Sequence, residues 1–363
     1  MGETGDMDRL RLDTPPREVA IVMLSALGDA VHVLPVVTAL KRAWPGTRIT
    51  WVIQPVPHRL AVHHPDVDEF IIFRRRRGAG AWRSYAELRS ALAGRRFDLV
   101  FNLQVYMKAG LITSMMPSDV KIGFDRKRAR DLNWLFTTHR IPPRPLGHVQ
   151  NAYFEFLEYA GVDPHPADWR ITFSSGERAA QQAFFADIER PVCALVVGTS
   201  KPQKNWMPDR YARVIDALTH DHGVRCVLVG GPSAIEREAA AQINGLVRSP
   251  VIDALGDDVG RMMWLLDGAD LVISPDTGPL HIARALERPV VGLYGYTNPK
   301  RYGPYRMFED LVVDGYARDP DEHYEPTMEY RPDGMQRVTV ERVLEKVELA
   351  LTRYAPHRRG AAG

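Results

Sequence analysis

From Ala269 to Leu286 the chain runs Ala-Asp-Leu-Val-Ile-Ser-Pro-Asp-Thr-Gly-Pro-Leu-His-Ile-Ala-Arg-Ala-Leu. Its first part is an apolar run suited to a buried parallel strand, and Leu280 to Leu286 carries helical periodicity. Between them, Asp276-Thr277-Gly278-Pro279 supplies capping side chains, a permissive glycine and a proline suited to the first helical turn. A strand that feeds a helix this way leaves backbone N–H groups unpaired at the helix start. With the helix dipole they make a seat for a phosphate or pyrophosphate. The plain alternative is a capped helix after a strand, which any α/β protein contains. His281 lies one helical turn from Thr277 and faces the same end.

The same strand–loop–helix unit recurs along the chain. Glu18 to Leu24 is an apolar strand, Ser25-Ala-Leu-Gly-Asp29 a loop, Ala30 to Trp44 an amphipathic helix stopped by Pro45-Gly46, and Ile49 to Ile53 the next strand. This βαβ order predicts a parallel sheet. Gly28 is the sole glycine of that first turn, so the dinucleotide fingerprint is absent. Further strands are predicted at 69–73, 97–101 and 120–124, with a helix from Asn151 to Gly161. Asp163 to Ser175, rich in proline and polar residues, reads as an interdomain linker. A second series follows, with strands at 192–197, 224–229, 251–252, 269–273 and 289–294, and helices from Pro208, Ile235, Arg261 and Leu280. The chain should therefore be α/β, with two doubly wound domains facing across a cleft. The domains are residues 1–172 and 173–335, and a terminal segment, 336–363, holds a helix from Val338 to Tyr354.

Length agrees with two domains, at 363 residues. With 47 basic and 45 acidic residues the formal charge is +2, which gives no nucleic-acid signature. The two cysteines, Cys193 and Cys226, fall in strand-like runs and read as buried thiols without zinc spacing. Met1 to Asp8 is polar and acidic, unlike a signal peptide. No apolar run reaches the length of a membrane span, and a cytoplasmic protein is expected.

Several side chains stand where ligands gather. Asp29 sits at the carboxyl end of the first strand, where open α/β sheets bind ligands. A helix N-cap is its ordinary alternative. Asp66 and Asp68 invite a metal reading, but they precede a strand and suit a turn better. Arg74-Arg75-Arg76-Arg77 is an unbroken basic run. A second set, Arg126-Lys-Arg-Ala-Arg130, lies in the same half with Lys108 and Arg140. Such runs are usually solvated loops, but two in one half suggest a site for an anionic acceptor.

Four segments together resemble glycosyltransferase family 9, the heptosyltransferases of lipopolysaccharide core assembly. They are Leu24-Ser-Ala-Leu-Gly-Asp-Ala-Val-His-Val-Leu-Pro35, Lys204-Asn-Trp-Met-Pro208, Ser274-Pro-Asp-Thr-Gly-Pro-Leu-His281 and Gly292-Leu-Tyr-Gly-Tyr-Thr-Asn-Pro299. The resemblance runs from about Val19 to Leu351. It implies a GT-B fold and an inverting, metal-independent transfer without cofactor from a nucleotide-activated heptose, typically ADP-heptose. It assigns Asp29 as general base. It assigns Lys204, Asp276, Thr277, Gly278 and His281 to the donor's diphosphate and sugar, with Glu236 as candidate ribose ligand after the Gly-Gly-Pro loop. Arg74, Arg75, Arg76, Arg77, Lys108, Arg126 and Arg130 would face the anionic glycolipid acceptor, Kdo or phosphorylated heptose. The terminal helix would pack back toward the first domain, and a membrane-borne acceptor implies peripheral contact with the inner membrane. Two departures stand out. Tyr324-Glu-Pro-Thr-Met-Glu-Tyr-Arg331 lacks the cysteines that many members carry there, and Asn298 stands where aspartate is frequent.

The chemistry is consistent with these roles. A departing nucleotide diphosphate gathers negative charge, which Lys204 and the helix start at Thr277-Gly278 would stabilise. The acceptor hydroxyl must lose a proton as it attacks, which suits a carboxylate opposite the leaving group. Two other readings compete: a nucleotide-sugar epimerase of the same architecture, and a non-catalytic binding protein that tolerates loss of Asp29.

Overall fold

The computed structural model describes residues 9–354. The polar leader Met1 to Asp8 and the end of the terminal segment, 355–363, lie outside the described residues. The chain divides into two compact units at Thr172–Phe173, and Leu146–His148 group with the second.

The first unit comprises β1 (Glu18–Val22), α1 (Leu27–Ala43), β2 (Arg48–Ile53), α2 (Pro55–Ala61), β3 (Glu69–Ile72), α3 (Ala81–Ala91), β4 (Leu99–Asn102), α4 (Met107–Met115), β5 (Lys121–Gly123), β6 (His139–Arg140) and α5 (Val149–Tyr159). Its six strands are all parallel, in the order β3-β2-β1-β4-β5-β6. The central strand β1 is buried on both sides, and so reads in sequence as a continuous apolar run. Ala20, Val22 and Leu24 pack on one face with Leu88 of α3 and Ile112 of α4. On the opposite face Phe156 of α5 meets Phe101 of β4 edge-on. The sheet is doubly wound.

The second unit repeats the plan. It runs α6 (Ser175–Phe185), β7 (Val192–Val196), α7 (Pro208–His222), β8 (Arg225–Val229), α8 (Ala234–Leu246), β9 (Val251–Asp253), α9 (Val259–Gly268), β10 (Leu271–Pro275), α10 (Gly278–Ala285), β11 (Val290–Tyr294), α11 (Pro299–Tyr302), β12 (Val312–Asp314) and α12 (Val340–Arg353). The order β12-β11-β10-β7-β8-β9, again all parallel, is the same topology read from the other end. In each sheet the strand order reverses between two central strands, β1 and β4 in one and β7 and β10 in the other. Loops at their carboxyl ends part toward opposite faces and leave a crevice suited to a ligand.

Cys193 and Cys226 are register partners on β7 and β8, and both are buried thiols. Burial pushes the Cys226 thiol up to about 12. The terminal helix α12 lies within the second unit. Its apolar side, with Val343 and Val347 buried, packs on α7, β11 and β12 of the second unit. Asp66 and Asp68 are engaged as structural anions. Arg170 grips Asp66 at 2.7 Å, and Lys41 meets Asp68 at 2.8 Å.

The loop after β11 is set by a close backbone crossing. A Cβ on Gly295 would strike the backbone of Gly334 and Met335, and one on Gly334 would strike Gly295. Neither neighbour is a flexible side chain that could move aside. Gly334→Ala should therefore cost about 1–3 kcal/mol. At about 2–4 °C per kcal/mol for a unit of this size, calorimetry should show a clear fall in Tm. An unchanged Tm would mean that the crossing is looser than described.

Candidate functional site

In the second unit the residues on either side of the strand-order reversal come together. The loop after β7 is shaped by Asn205, whose Oδ1 accepts from Thr199 N–H at 2.8 Å. Trp206 is 2 % exposed and donates its indole N–H to Val338 O at 2.7 Å, and Pro208 opens α7. The motif Lys204-Asn-Trp-Met-Pro thus fixes a loop, and Lys204 is the residue it delivers. Lys204 Nζ donates to Asp276 Oδ2 at 2.6 Å and to Asp276 O at 3.1 Å.

Asp276 follows β10 and is 5 % exposed. Besides Lys204 it faces the Thr297 hydroxyl, which donates to Oδ2 at 2.6 Å, and His281 Nε2 at 3.5 Å from Oδ1. Burial alone would raise its carboxyl, but the Lys204 ammonium and then His281 outweigh that and hold it below the usual carboxylate range. Loops from β7, β10 and β11 therefore meet on one buried anion. Thr277 is the N-cap of α10, Gly278 its first residue and Pro279 its second. The start of α10, with N–H groups that have no intrahelical acceptor, lies beside Lys204.

Glu236 stands at the third position of α8 and forms a capping arrangement. Its carboxylate accepts from Gly231 N–H at 2.7 Å and from the Ser233 hydroxyl at 2.6 Å. Gly198, at the end of the β7 run, leaves room for it. A Cβ there would lie 2.8 Å from Glu236 Cγ.

In the first unit Asp29 lies inside α1, which begins at Leu27, three residues before the expected start. It is therefore the third helical residue, and the N-cap is Ala26. Asp29 Oδ2 accepts from Ala26 N–H at 2.9 Å, and the Tyr153 hydroxyl stands 3.4 Å from Oδ1. Gln104, after β4, holds the turn before the helix. Its Oε1 accepts from Leu24 N–H at 3.2 Å and its amide donates to Ser25 O. Lys108 Nζ donates to the Ser25 hydroxyl at 2.9 Å. Burial lowers the Lys108 ammonium from its ordinary value, Arg75 adds to the lowering, and Asp29 opposes it.

The two basic clusters do not merge into one acceptor site. Arg75, Arg76, Arg77 and Lys108 line a cavity of about 270 Å³ with Phe73, Ser84 and Tyr85. Ser84 pins that loop by accepting from Arg76 N–H at 3.0 Å and donating to Arg74 O at 2.7 Å. Arg126 lines a different cavity, of about 500 Å³, with Arg9, Lys127 and Arg140. Arg74 and Arg130 line neither. Tyr153 and Gln104 carry no local sequence signal for their places here, since each acts on a partner far away in the chain, and the quoted segment that contains Thr297 does not point to its hydroxyl.

Two doubly wound units, each with charged residues at its strand-order reversal, define an α/β protein built to bind ligands at the carboxyl ends of its central strands. The sequence matches the model of glycosyltransferase family 9 (heptosyltransferase) over residues 85–330. It is 31% identical over 299 residues to the lipopolysaccharide core heptosyltransferase OpsX of Haemophilus influenzae, covering 82% of this chain and 84% of that one. It is 28% identical over 353 residues to lipopolysaccharide heptosyltransferase 1 of Pseudomonas aeruginosa, covering 94% and 95%. The fold matches the family 9 glycosyl transferase of Veillonella parvula with a TM-score of 0.80 at 23% identity, over 95% of this chain and 99% of that one. It matches E. coli heptosyltransferase WaaC with ADP with a TM-score of 0.71 at 24% identity, over 92% and 99%. The UDP-GlcNAc 2-epimerase of Methanocaldococcus jannaschii shares the fold alone, with a TM-score of 0.53 at 11% identity over 93% and 94%, so the epimerase reading is not favoured. The chain belongs to glycosyltransferase family 9, is a glycosyltransferase, and has the GT-B class of fold.

The buried Asp276 has a measurable consequence. A carboxylate whose folded pKa is depressed contributes stability that is present above its unfolded value, about 3.9, and lost as pH falls below it. Asp276→Asn should lower stability by about 3 kcal/mol at pH 7, the lower end for breaking a buried pair because Lys204 is partly exposed. Urea unfolding should show the gap between the two proteins narrowing below about pH 4. An equal gap at pH 7 and pH 3 would mean that the carboxylate charge is not what stabilises the loops.

Proposed function

We propose that the protein transfers a heptose from ADP-heptose to an anionic sugar of the lipopolysaccharide core, with inversion at the anomeric carbon. The observation that carries this reading is the junction of Lys204 with Asp276-Thr277-Gly278 at the second strand-order reversal, in a chain of family 9. Lys204 and the start of α10 meet the donor diphosphate, as a lysine at a helix N-terminus does for phosphate groups. His281 faces the same point, and Asp276 serves by holding Lys204, Thr297 and His281 in place. Glu236 takes a ribose hydroxyl on acceptor sites left beyond its two capping bonds, since a carboxylate offers about four.

Asp29 is the base. The acceptor oxygen forms a bond to the anomeric carbon as the bond from that carbon to the diphosphate oxygen breaks. The acceptor proton passes to Asp29, and ADP leaves with the electron pair. Ala26 N–H and the Tyr153 hydroxyl orient the carboxylate. Arg75, Arg76, Arg77 and Lys108 hold the acceptor's negative charge. Because that acceptor is membrane-borne, the enzyme works at the cytoplasmic face of the inner membrane. The decisive assay incubates the protein with ADP-heptose, with and without a deep-rough lipopolysaccharide. ADP release that requires the acceptor is expected. Conversion of the sugar nucleotide without acceptor would favour the epimerase instead.

Lys204→Ala removes a charge-assisted contact of about 1.5–3 kcal/mol. ADP affinity by calorimetry should fall about ten- to a hundredfold. Unchanged affinity would place the diphosphate elsewhere.

Asp29→Asn separates structure from chemistry. An amide oxygen can still accept from Ala26 N–H, so Tm and ADP affinity should hold. An amide cannot take the acceptor proton, and kcat should fall at least about a hundredfold. A folded variant with normal turnover would reduce Asp29 to a helix-end residue.

A further inference from the structure

We propose that the cavity at the carboxyl ends of β5 and β6 is a separate binding site for a phosphate group. Arg9, Arg126, Lys127 and Arg140 line it, with Ile141, Pro142 and Tyr159 as its apolar wall. It shares no lining residue with the cavity of Arg75, Arg76, Arg77 and Lys108. The assignment does not rest on heptosyl transfer, or on the donor and base roles above.

The charge of this cavity is uncompensated. Its one acidic residue, Asp125, is already committed. Asp125 Oδ1 accepts from Lys127 N–H at 2.9 Å, and Oδ2 pairs with Arg128. Arg128 is itself half-buried, pairs with Glu155 at 2.6 Å and donates to Pro142 O at 2.9 Å. Those bonds build the floor and spend the acidic charge there. Among the described residues Arg9, Arg126 and Lys127 have no carboxylate partner. Three like charges around one cavity repel each other unless a ligand compensates them.

Two of the cations are held in place before any ligand arrives. The Arg126 guanidinium lies 4.2 Å from the Trp134 ring centroid and that of Arg140 lies 5.3 Å from it. Arg140 also donates to Trp134 O at 3.3 Å. Stacking on an indole restrains a guanidinium while leaving edge N–H groups to bind. A single carboxylate would leave most of this charge unmatched. A phosphomonoester carries about −1.5 to −2 with three acceptor oxygens, which fits forked guanidinium donors. At about 500 Å³ the cavity admits a phosphorylated sugar or a phospholipid headgroup.

The test uses the full chain with two probes. Glucose 6-phosphate binding is followed by calorimetry. Cosedimentation compares phosphatidylcholine vesicles with and without phosphatidic acid. Arg126→Gln/Lys127→Gln removes two exposed, unpaired cations, so the fold is kept. Arg89→Gln/Arg248→Gln removes equal exposed charge away from both cavities. The first variant should weaken at least one probe about tenfold or more, as expected for a lost charge-assisted contact, and the second less than about twofold. Loss confined to the sugar phosphate identifies a phosphorylated saccharide, and loss confined to the acidic vesicles a phospholipid headgroup. Equal losses in both variants, or a wild-type protein that binds neither probe, would overturn the site.

Discussion

The structure depends on one topological constraint. A parallel strand must be followed by a crossover, and the crossover covers one face of the sheet. When strand order reverses, consecutive crossovers cover opposite faces, and the loops between the two central strands separate. Both units have their reversal at the same place in the order, so the chain builds the same crevice twice. In the first sheet, Asp29 follows β1 and Lys108 follows β4. In the second, Lys204 follows β7 and Asp276 follows β10. The pairs Lys108–Ser25 and Lys204–Asp276 lie 83 and 72 positions apart in the chain, and the sheet closes that distance.

The second crevice also shows why a buried charge is tolerated. Taking a carboxylate out of water is costly unless it is paired and hydrogen-bonded. Asp276 has an ammonium, a hydroxyl and an imidazole around it, contributed by three different segments. Removing any one of these leaves the others facing an under-satisfied anion. The cluster thus ties the loops after β7, β10 and β11 to one arrangement, since a misplaced loop would leave a buried charge without a partner. The phosphate seat proposed here would depend on that coupling, because a displaced lysine would lose its contact.

Much of this was legible in the sequence, for physical reasons. Buried parallel strands are continuous apolar runs, which is why β1, β7, β10 and β11 can be read directly. The Asp276-Thr277-Gly278 turn is legible because a capped glycine-proline helix start is a local pattern, whereas Lys204 stands out only through the resemblance to family 9. The start of α1 is not, because Ala26 is no capping residue. The acceptor that compensates is Asp29, three residues inside the helix, so a loop reading of Gly28-Asp29 stops short. Helix α3 has little apolar periodicity to announce it, with Ser84 and Leu88 its buried residues. Tyr153 beside Asp29 and Arg126 over Trp134 depend on tertiary packing, which no spacing rule reports. The separation of the basic clusters is likewise a property of the sheet. One follows β3 and the other β5, on opposite sides of the central pair.

The two departures from the family pattern have structural reasons that can be argued together. Asn298 is 0 % exposed. Its carbonyl oxygen accepts from Lys300 N–H at 2.9 Å and its amide donates to Glu325 O at 2.8 Å. An aspartate could cap α11 in the same way, but it has no N–H to give Glu325 O and would set a negative charge against that carbonyl. The amide therefore belongs with the particular path of the segment from 322 to 331. That path is held without cysteine. Arg331 makes a two-point pair with Glu322 at 2.7 and 2.8 Å, lies 4.2 Å from the Tyr316 ring centroid and donates to Tyr316 O. Lys300 covers Tyr324 at 4.5 Å and donates to its carbonyl at 2.6 Å. Tyr296 and Tyr330 stack at 4.7 Å, and Lys201 of the β7 loop lies 4.8 Å from the Tyr330 ring. Cation–π and guanidinium–carboxylate contacts thus tie this segment to the loop that carries Lys204. Asn298, which looks like an isolated substitution in the sequence, adds a buried hydrogen bond to the same segment.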